Sequence, residues 1–264
     1  MADRYDVVVY GATGFTGTYI VRTIATSPLL KDKTVALSGR SESKLKKVLN
    51  EVAASTGVSS VRDYPLIIAD TSDGDSLAAM AKKAQSTPSD RIRMWIYDFL
   101  PVLVSTGQFL ESMQLKYAEQ AKDNGVYIVG ACGWDSIPCD LGMDFLKINF
   151  SGTLAHVETI VRNHPGPSGY SFNEGTYQTI ILAMSSIFRD NLGEIRRAIM
   201  PGGVPNSSHK PPMRIPLWHV QKNGLDAWAI PFMGSDKSVV QRTQYYDYRV
   251  NGKRPVLINT YFAL

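Results

Sequence analysis

Val7-Val8-Val9-Tyr10-Gly11-Ala12-Thr13-Gly14-Phe15-Thr16-Gly17 is the stretch whose reading decides the fold. An apolar run, read as a strand, stops in Gly-x-x-Gly-x-x-Gly. Tyr19, Ile20, Ile24 and Ala25 then recur at helical spacing. Strand, glycine turn and helix make up the first unit of a dinucleotide-binding fold. Gly11 lets the chain turn sharply, Gly14 lets backbone N–H groups approach a pyrophosphate, and Gly17 lets the helix pack closely on the strand. The helix N-terminus supplies the partial positive charge that phosphates need. Gly11, Ala12, Thr13, Gly14, Phe15, Thr16 and Gly17 are therefore the candidate cofactor-binding residues. The competing reading is a tight strand-to-helix turn whose glycines serve packing alone.

The same rhythm continues outward from this loop. A first strand covers about Tyr5 to Tyr10, and its helix stops at Ser27-Pro28, because the residue before proline is pushed out of the helical region. A second strand, Thr34 to Ser38, leads to a helix with Leu45, Val48, Leu49 and Val52 on one face, ended near Gly57. A third, Pro65 to Ala69, ends at Asp70. Ser72, with Asp75 three residues on, then opens a helix carrying Leu77, Met80, Ala81 and Ala84. Three such units predict an α/β fold, a Rossmann-type doubly wound parallel sheet.

Ile92 to Leu100 reads as a fourth strand. A helix from about Gln108 follows, with Phe109, Met113, Tyr117 and Ala121 on one face, ended by Asn124-Gly125. A crossover needs a dozen or more residues, and this interval is too short for a crossover helix plus a strand. Either the sheet is small or one βαβ unit is missing. Val126 to Val129 reads as a strand. Pro138 then suits a helix first turn, with Leu141, Phe145, Leu146 and Ile148 toward the core.

Beyond Phe150 the pattern changes. His156 to Arg162 alternates like a strand, 175–188 and Asn191 to Met200 read as helices, and Pro201 to Pro216 is a Pro/Gly/Ser-rich loop. Ala227 to Phe232 and Val239 to Tyr248 read as strands. The expected division is a dinucleotide-binding domain over 1–150 and an incomplete α+β substrate or dimerisation domain over 151–264.

The end of strand two selects the cofactor. An NAD site usually places an acid there for the ribose 2′-hydroxyl, whereas this chain has Ser38-Gly39-Arg40-Ser41, with Lys44 a turn on. Arginine matches a 2′-phosphate in charge and geometry. NADP is the expected cofactor and NAD the alternative. Asp70 sits where such folds contact the adenine, and equally suits a turn.

Bulk properties exclude several classes. Net charge is +4 and the basic residues are scattered without an interleaved aromatic patch, so no nucleic-acid partner is expected. Cys132 and Cys139 fit no common zinc or redox spacing, the four histidines lack ligand spacing, and no metal is expected. Few cysteines, a polar start without a signal peptide and no long apolar run point to an intracellular, cytoplasmic protein. Cys132 reads as buried packing, and Ser136 as a cap with Asp135.

Gly-Ala-Thr-Gly-Phe-Thr-Gly at 11–17, Leu-Ser-Gly-Arg at 37–40, Ala-Asp at 69–70 and above all Ala-Cys-Gly-Trp-Asp-Ser-Ile-Pro-Cys-Asp-Leu-Gly at 131–142 resemble the saccharopine dehydrogenase-like oxidoreductases. The resemblance covers nearly all of the chain. It implies hydride transfer between a nicotinamide cofactor and a C=N, C=O or C=C bond of an unidentified, lipid-related small molecule. It also implies a peripheral lipid droplet or organelle membrane association and a homodimer. Trp134 and Asp135 are the candidate substrate residues; no catalytic residue is identified. Two departures stand out: 91–106 matches nothing in the family, and 256–264 reads as an unrelated tail. These suggest a truncated or alternatively spliced form, for which a catalytically weak cofactor-binding or scaffold protein is the alternative.

Overall fold

The computed structural model describes residues 5–84, 94–97, 107–125, 128–134, 136–171, 174, 177–178, 181, 185, 191–205, 209–222, 224–232 and 234–264. The chain divides into two compact units. One is Met1–Pro101 with Glu119–Ile128, and the other Val102–Ala118 with Val129–Leu264.

The first unit is built on four parallel strands, β1 (Val7–Tyr10), β2 (Val35–Gly39), β3 (Leu66–Ile68) and β4 (Met94–Tyr97), in the order β3-β2-β1-β4. Every residue of β1 and β2 is buried, as parallel strands covered on both faces require. Val7, Val9, Val35 and Leu37 pack with α1 (Phe15–Thr26) and α2 (Glu42–Thr56), through Val21, Ile24, Leu45 and Val52. Val8, Tyr10, Ala36 and Ile67 turn to the other face, against Met80 of α3 (Gly74–Lys82). This is the doubly wound α/β arrangement expected, and among the described residues its sheet has four strands. The cap of α3 differs from expectation: Asp73 accepts from the N–H groups of Asp75 and Ser76, because Ser72 is engaged by Asp70.

The second unit carries a mixed sheet of β5 (His156–Arg162), β6 (Trp218–Lys222), β7 (Leu225–Pro231) and β8 (Leu257–Ala263), ordered β5-β8-β7-β6. β8 runs parallel to β5 and antiparallel to β7. Val157 and Ile258 bury against Met143 of α5 (Ile137–Asn149) and Val240 of α7 (Asp236–Asn251). The opposite face holds Val220, Ala229, Tyr261 and Ala263. Two further helices of the chain are α4 (Gly107–Asp123) and α6 (Leu192–Ile199).

Several expectations are corrected here. Val239 to Tyr248 lies in α7, not in a strand. Its valines and tyrosines favour β structure, but Asp236, Val240 and Gln244 are the buried residues while Ser238 and Arg242 between them are only half-buried, a four-residue rhythm that fits one side of a helix and not the alternation of a strand. Gln244 then clasps the Val256 backbone, donating to its carbonyl at 2.9 Å and accepting from its N–H. In α5, Leu141, Phe145 and Ile148 are exposed and Leu146 is partly so. Met143 and half-buried Cys139 face the core instead, because α7 packs along that stripe and Thr243 ties Asp140 at 2.9 Å. In α4 Tyr117 is exposed and Glu111 is fully buried; the side chain of Phe109 lies outside the described residues. Of the strand expected at 126–129, Ile128 and Val129 are exposed and non-strand, while 126 and 127 lie outside the described residues. So does most of the helix expected at 175–188 and of the departure at 91–106. The segment 256–264 supplies the interior strand β8 (Leu257–Ala263), with Ile258 2% and Ala263 5% exposed.

Candidate functional site

The glycine loop is hung on β2. Gly11 N–H donates to the Ser38 carbonyl at 3.0 Å and Ala12 N–H to the same oxygen at 3.4 Å. Gly11 has φ +77°, the left-handed region that glycine enters freely. Gly14 N–H donates back to Gly11 O at 2.9 Å, closing the turn. Gly14 is then the N-cap of α1, and no side chain caps the helix. A Cβ on Gly17 would drive into the Gly11 carbonyl and lie 2.9 Å from Ala12 Cα, so only glycine lets α1 approach β1 this closely.

The loop suits an anion. α1 has no acid in its first turn, which leaves the positive end of its dipole uncompensated. Thr13, Phe15 and Thr16 are exposed, while Ala12 and Gly17 are buried. Under the loop, the fully buried Ser38 hydroxyl has no hydrogen-bond partner among the described residues. These features fit the phosphates of a dinucleotide.

Arg40 and Asp70 gather beside it, at the carboxyl ends of β2 and β3. The Asp70 carboxylate accepts from Ser72 N–H at 2.9 Å and Ser72 Oγ–H at 2.8 Å. Those bonds, aided by the Arg40 charge, hold it below its ordinary range. Asp70 thus has a turn role. Tyr10, at the end of β1, joins them: burial and then the Asp70 charge raise its phenol, and Arg40 opposes. Sequence reading placed Tyr10 at the end of the first strand, and nothing in a strand pattern reports which charges act on its hydroxyl. Lys44 has an exposed side chain, and its N–H goes to Ser41 Oγ.

Trp134 belongs to the second unit. It is 62% exposed, with its ring 6.4 Å from that of Phe232. Asp135 lies outside the described residues. Ser136 makes no side-chain cap to α5; its buried hydroxyl pairs instead with Ser235 at 2.8 Å. Cys132 is exposed rather than packed, and the surrounding protein pushes its thiol up, away from a reactive thiolate.

Polar groups also meet over the second sheet. His156 stacks on His209 at 5.3 Å and meets Asn259 at 3.2 Å, and Glu158 pairs with Arg214 at 3.2 Å. Among the described residues no group of three or more His, Cys, Asp or Glu is placed to hold a metal, and no helix is long and apolar enough to cross a membrane.

No family model matches the chain. The "Lipid droplet localized protein" of Caenorhabditis elegans is 44% identical, over 99% of this chain and 64% of its own length. The "Saccharopine dehydrogenase-like oxidoreductase" of Homo sapiens is 35% identical over 98% of this chain and 64% of its length. That of Pongo abelii is also 35% identical, over 97% and 63%. Among solved structures, a glucose-6-phosphate 1-dehydrogenase from Mycobacterium avium covers 61% of this chain at a TM-score of 0.35 and 10% identity, a likeness from which nothing is drawn. The chain spans less than two thirds of the length of the curated relatives it matches, and over nearly all of its own length it is similar to saccharopine dehydrogenase-like oxidoreductases.

Proposed function

We propose that the chain binds a nicotinamide dinucleotide, preferring NADP, and serves an oxidoreductase of the saccharopine dehydrogenase-like type. The observation that carries this reading is the cradle at Gly11–Gly17: a left-handed turn, a helix start without a side chain, and a glycine with no room for Cβ. Gly11, Ala12, Thr13, Gly14, Phe15, Thr16 and Gly17 would hold the pyrophosphate, Arg40 the 2′-phosphate, and Asp70 the adenosine side. When bound, the nicotinamide supplies hydride transfer. Trp134 and Asp135 would meet the substrate, an unidentified lipid-related small molecule. The domain division proposed is 1–150 and 151–264.

Thermal-shift titration of the whole chain with NADPH and NADH tests this. At a hundredfold excess over Kd the cofactor is expected to stabilise by about 2.7 kcal/mol. Absence of a shift with either cofactor sinks the reading.

A second reading is a cofactor-binding scaffold at lipid droplet or membrane surfaces, with little turnover. It is favoured by the name of the worm relative and by the exposed Leu141, Phe145 and Ile148 of α5. Cofactor binding without nicotinamide oxidation across imines, ketones and enoyl lipids, together with co-flotation with droplets, supports it. Turnover of any of these by the chain, or its absence from the floating layer, rejects it. Sedimentation tests the expected homodimer.

A further inference from the structure

The second unit contains a buried ion cluster that the cofactor reading does not use. Glu111 of α4 is fully buried. Its two carboxylate oxygens accept from Arg196 Nε of α6 at 3.1 and 3.0 Å, and Oε1 also accepts from Ser238 Oγ of α7 at 2.5 Å. One carboxylate thereby takes one guanidinium N–H, shared between its two oxygens, and one hydroxyl.

Arg242 stands one helical turn beyond Ser238 on the same face of α7. Its Nε is shut off from solvent and has no hydrogen-bond partner, and the side chain makes no ion pair among the described residues. The described charges that act on it are Glu111, which is already engaged, and Arg196, which repels it. Two guanidiniums around one carboxylate leave one positive charge uncompensated. A buried charge is normally paired, since taking it out of water unpaired is costly. Burial accordingly pulls Arg242 below its ordinary value. The side chain is not sealed, because Arg242 is half-buried and the Arg196 side chain is 36% exposed. Both arginine side chains thus keep part of their surface in solvent.

We propose that Arg242 is an anion-binding residue, which takes a carboxylate or phosphate group of a ligand held by the second unit. A planar guanidinium meets either group with paired N–H donors. The anion completes an alternating array of Arg196, Glu111, Arg242 and ligand. The site is distinct from the glycine loop and does not depend on the cofactor reading.

The test uses the whole chain, with melting temperature and calorimetry against inorganic phosphate and against acetate, with sodium chloride at matched ionic strength as reference. At least one of the two anions is expected to bind saturably. A response to phosphate alone identifies a phosphate ligand, and a response to acetate alone a carboxylate. Arg242→Met removes the charge while keeping apolar bulk. It is expected to weaken that binding by about tenfold or more, a loss of about 1.4 kcal/mol, and to melt no lower than the parent in chloride. Arg242→Lys keeps the charge and is expected to retain part of the response if the methionine variant fails to fold. Arg249→Met, exposed on the same helix, is expected to leave it unchanged. The proposal is overturned if neither anion binds saturably, or if Arg242→Met responds as the parent does, which would put the anion elsewhere. It also falls if Arg242→Met melts lower in chloride and Arg242→Lys shows no anion response, since Arg242 would then be a structural partner of Glu111.

Discussion

Ser136 and Ser235 stand at the N-cap positions of α5 and α7, 99 residues apart, and their buried hydroxyls share a hydrogen bond of 2.8 Å. Two helix starts are thereby locked to each other. Replacing either serine by alanine is expected to lower unfolding free energy by about 1 kcal/mol, leaving the other hydroxyl buried with one bond fewer. Because the two act on one bond, the double variant is expected to lose less than the sum. Urea unfolding of the four proteins checks this, and strictly additive losses would argue against coupling.

Two glycines separate crowding from backbone conformation. Gly17→Ala is expected to cost about 1–3 kcal/mol by overpacking, since its Cβ meets the Gly11 carbonyl. It is also expected to weaken dinucleotide binding. Gly57→Ala has open space around it but a φ of +75°. A loss of about 1–2 kcal/mol from the left-handed backbone is expected there, with cofactor affinity intact. If both variants bound cofactor alike, the cradle would not be the binding element.

Arg40→Asp places a negative charge where the 2′-phosphate is proposed to lie. The ratio of NADPH to NADH affinity is expected to fall by at least about tenfold, a change of about 1.4 kcal/mol. The Asp70 carboxyl is expected to rise slightly, having lost a neighbouring cation. Unchanged cofactor preference would remove Arg40 from the site.

His156 gives stability a pH dependence. Burial lowers its imidazole below the ordinary value of about 6.5; Glu158 opposes, while His209 and Arg214 add to the lowering. The unfolded chain therefore takes up the proton first as pH falls. The histidine's contribution is complete above about pH 6.5 and declines below it. His156→Gln is expected to flatten the fall in melting temperature between about pH 7.5 and 5.5. An unchanged slope would mean that other groups govern this window.

Legibility from sequence followed the reach of the interactions. The first unit was readable because its signals are local: all-apolar β1 and β2, glycines at 11, 14 and 17, Gly57 at a helix end. Arg40 and Asp70 followed from their places after strands. What misled was burial decided by distant partners. Val239 to Tyr248 has β-forming composition, and only contact with β5 and β8 shows that every fourth residue is inside. Leu141, Phe145 and Ile148 look like a core face, yet Thr243 and Val240 draw the Asp140–Met143 side inward. Glu111 was invisible, since a lone acid on a helix reads as solvated until Arg196 and Ser238, 85 and 127 positions away, are folded against it.

The strand order of the second sheet sets its assembly. β8 lies between β5 and β7, and Asn259 meets His156 across 103 positions. Both flanking strands are synthesised before the strand that joins them. Until residues 257–263 arrive, β5 and β7 each show an unpaired edge, the surface on which strands of other chains can add. Contacts this far apart also fold slowly. The sheet of the second unit thus stays open to such additions until β8 docks between its neighbours.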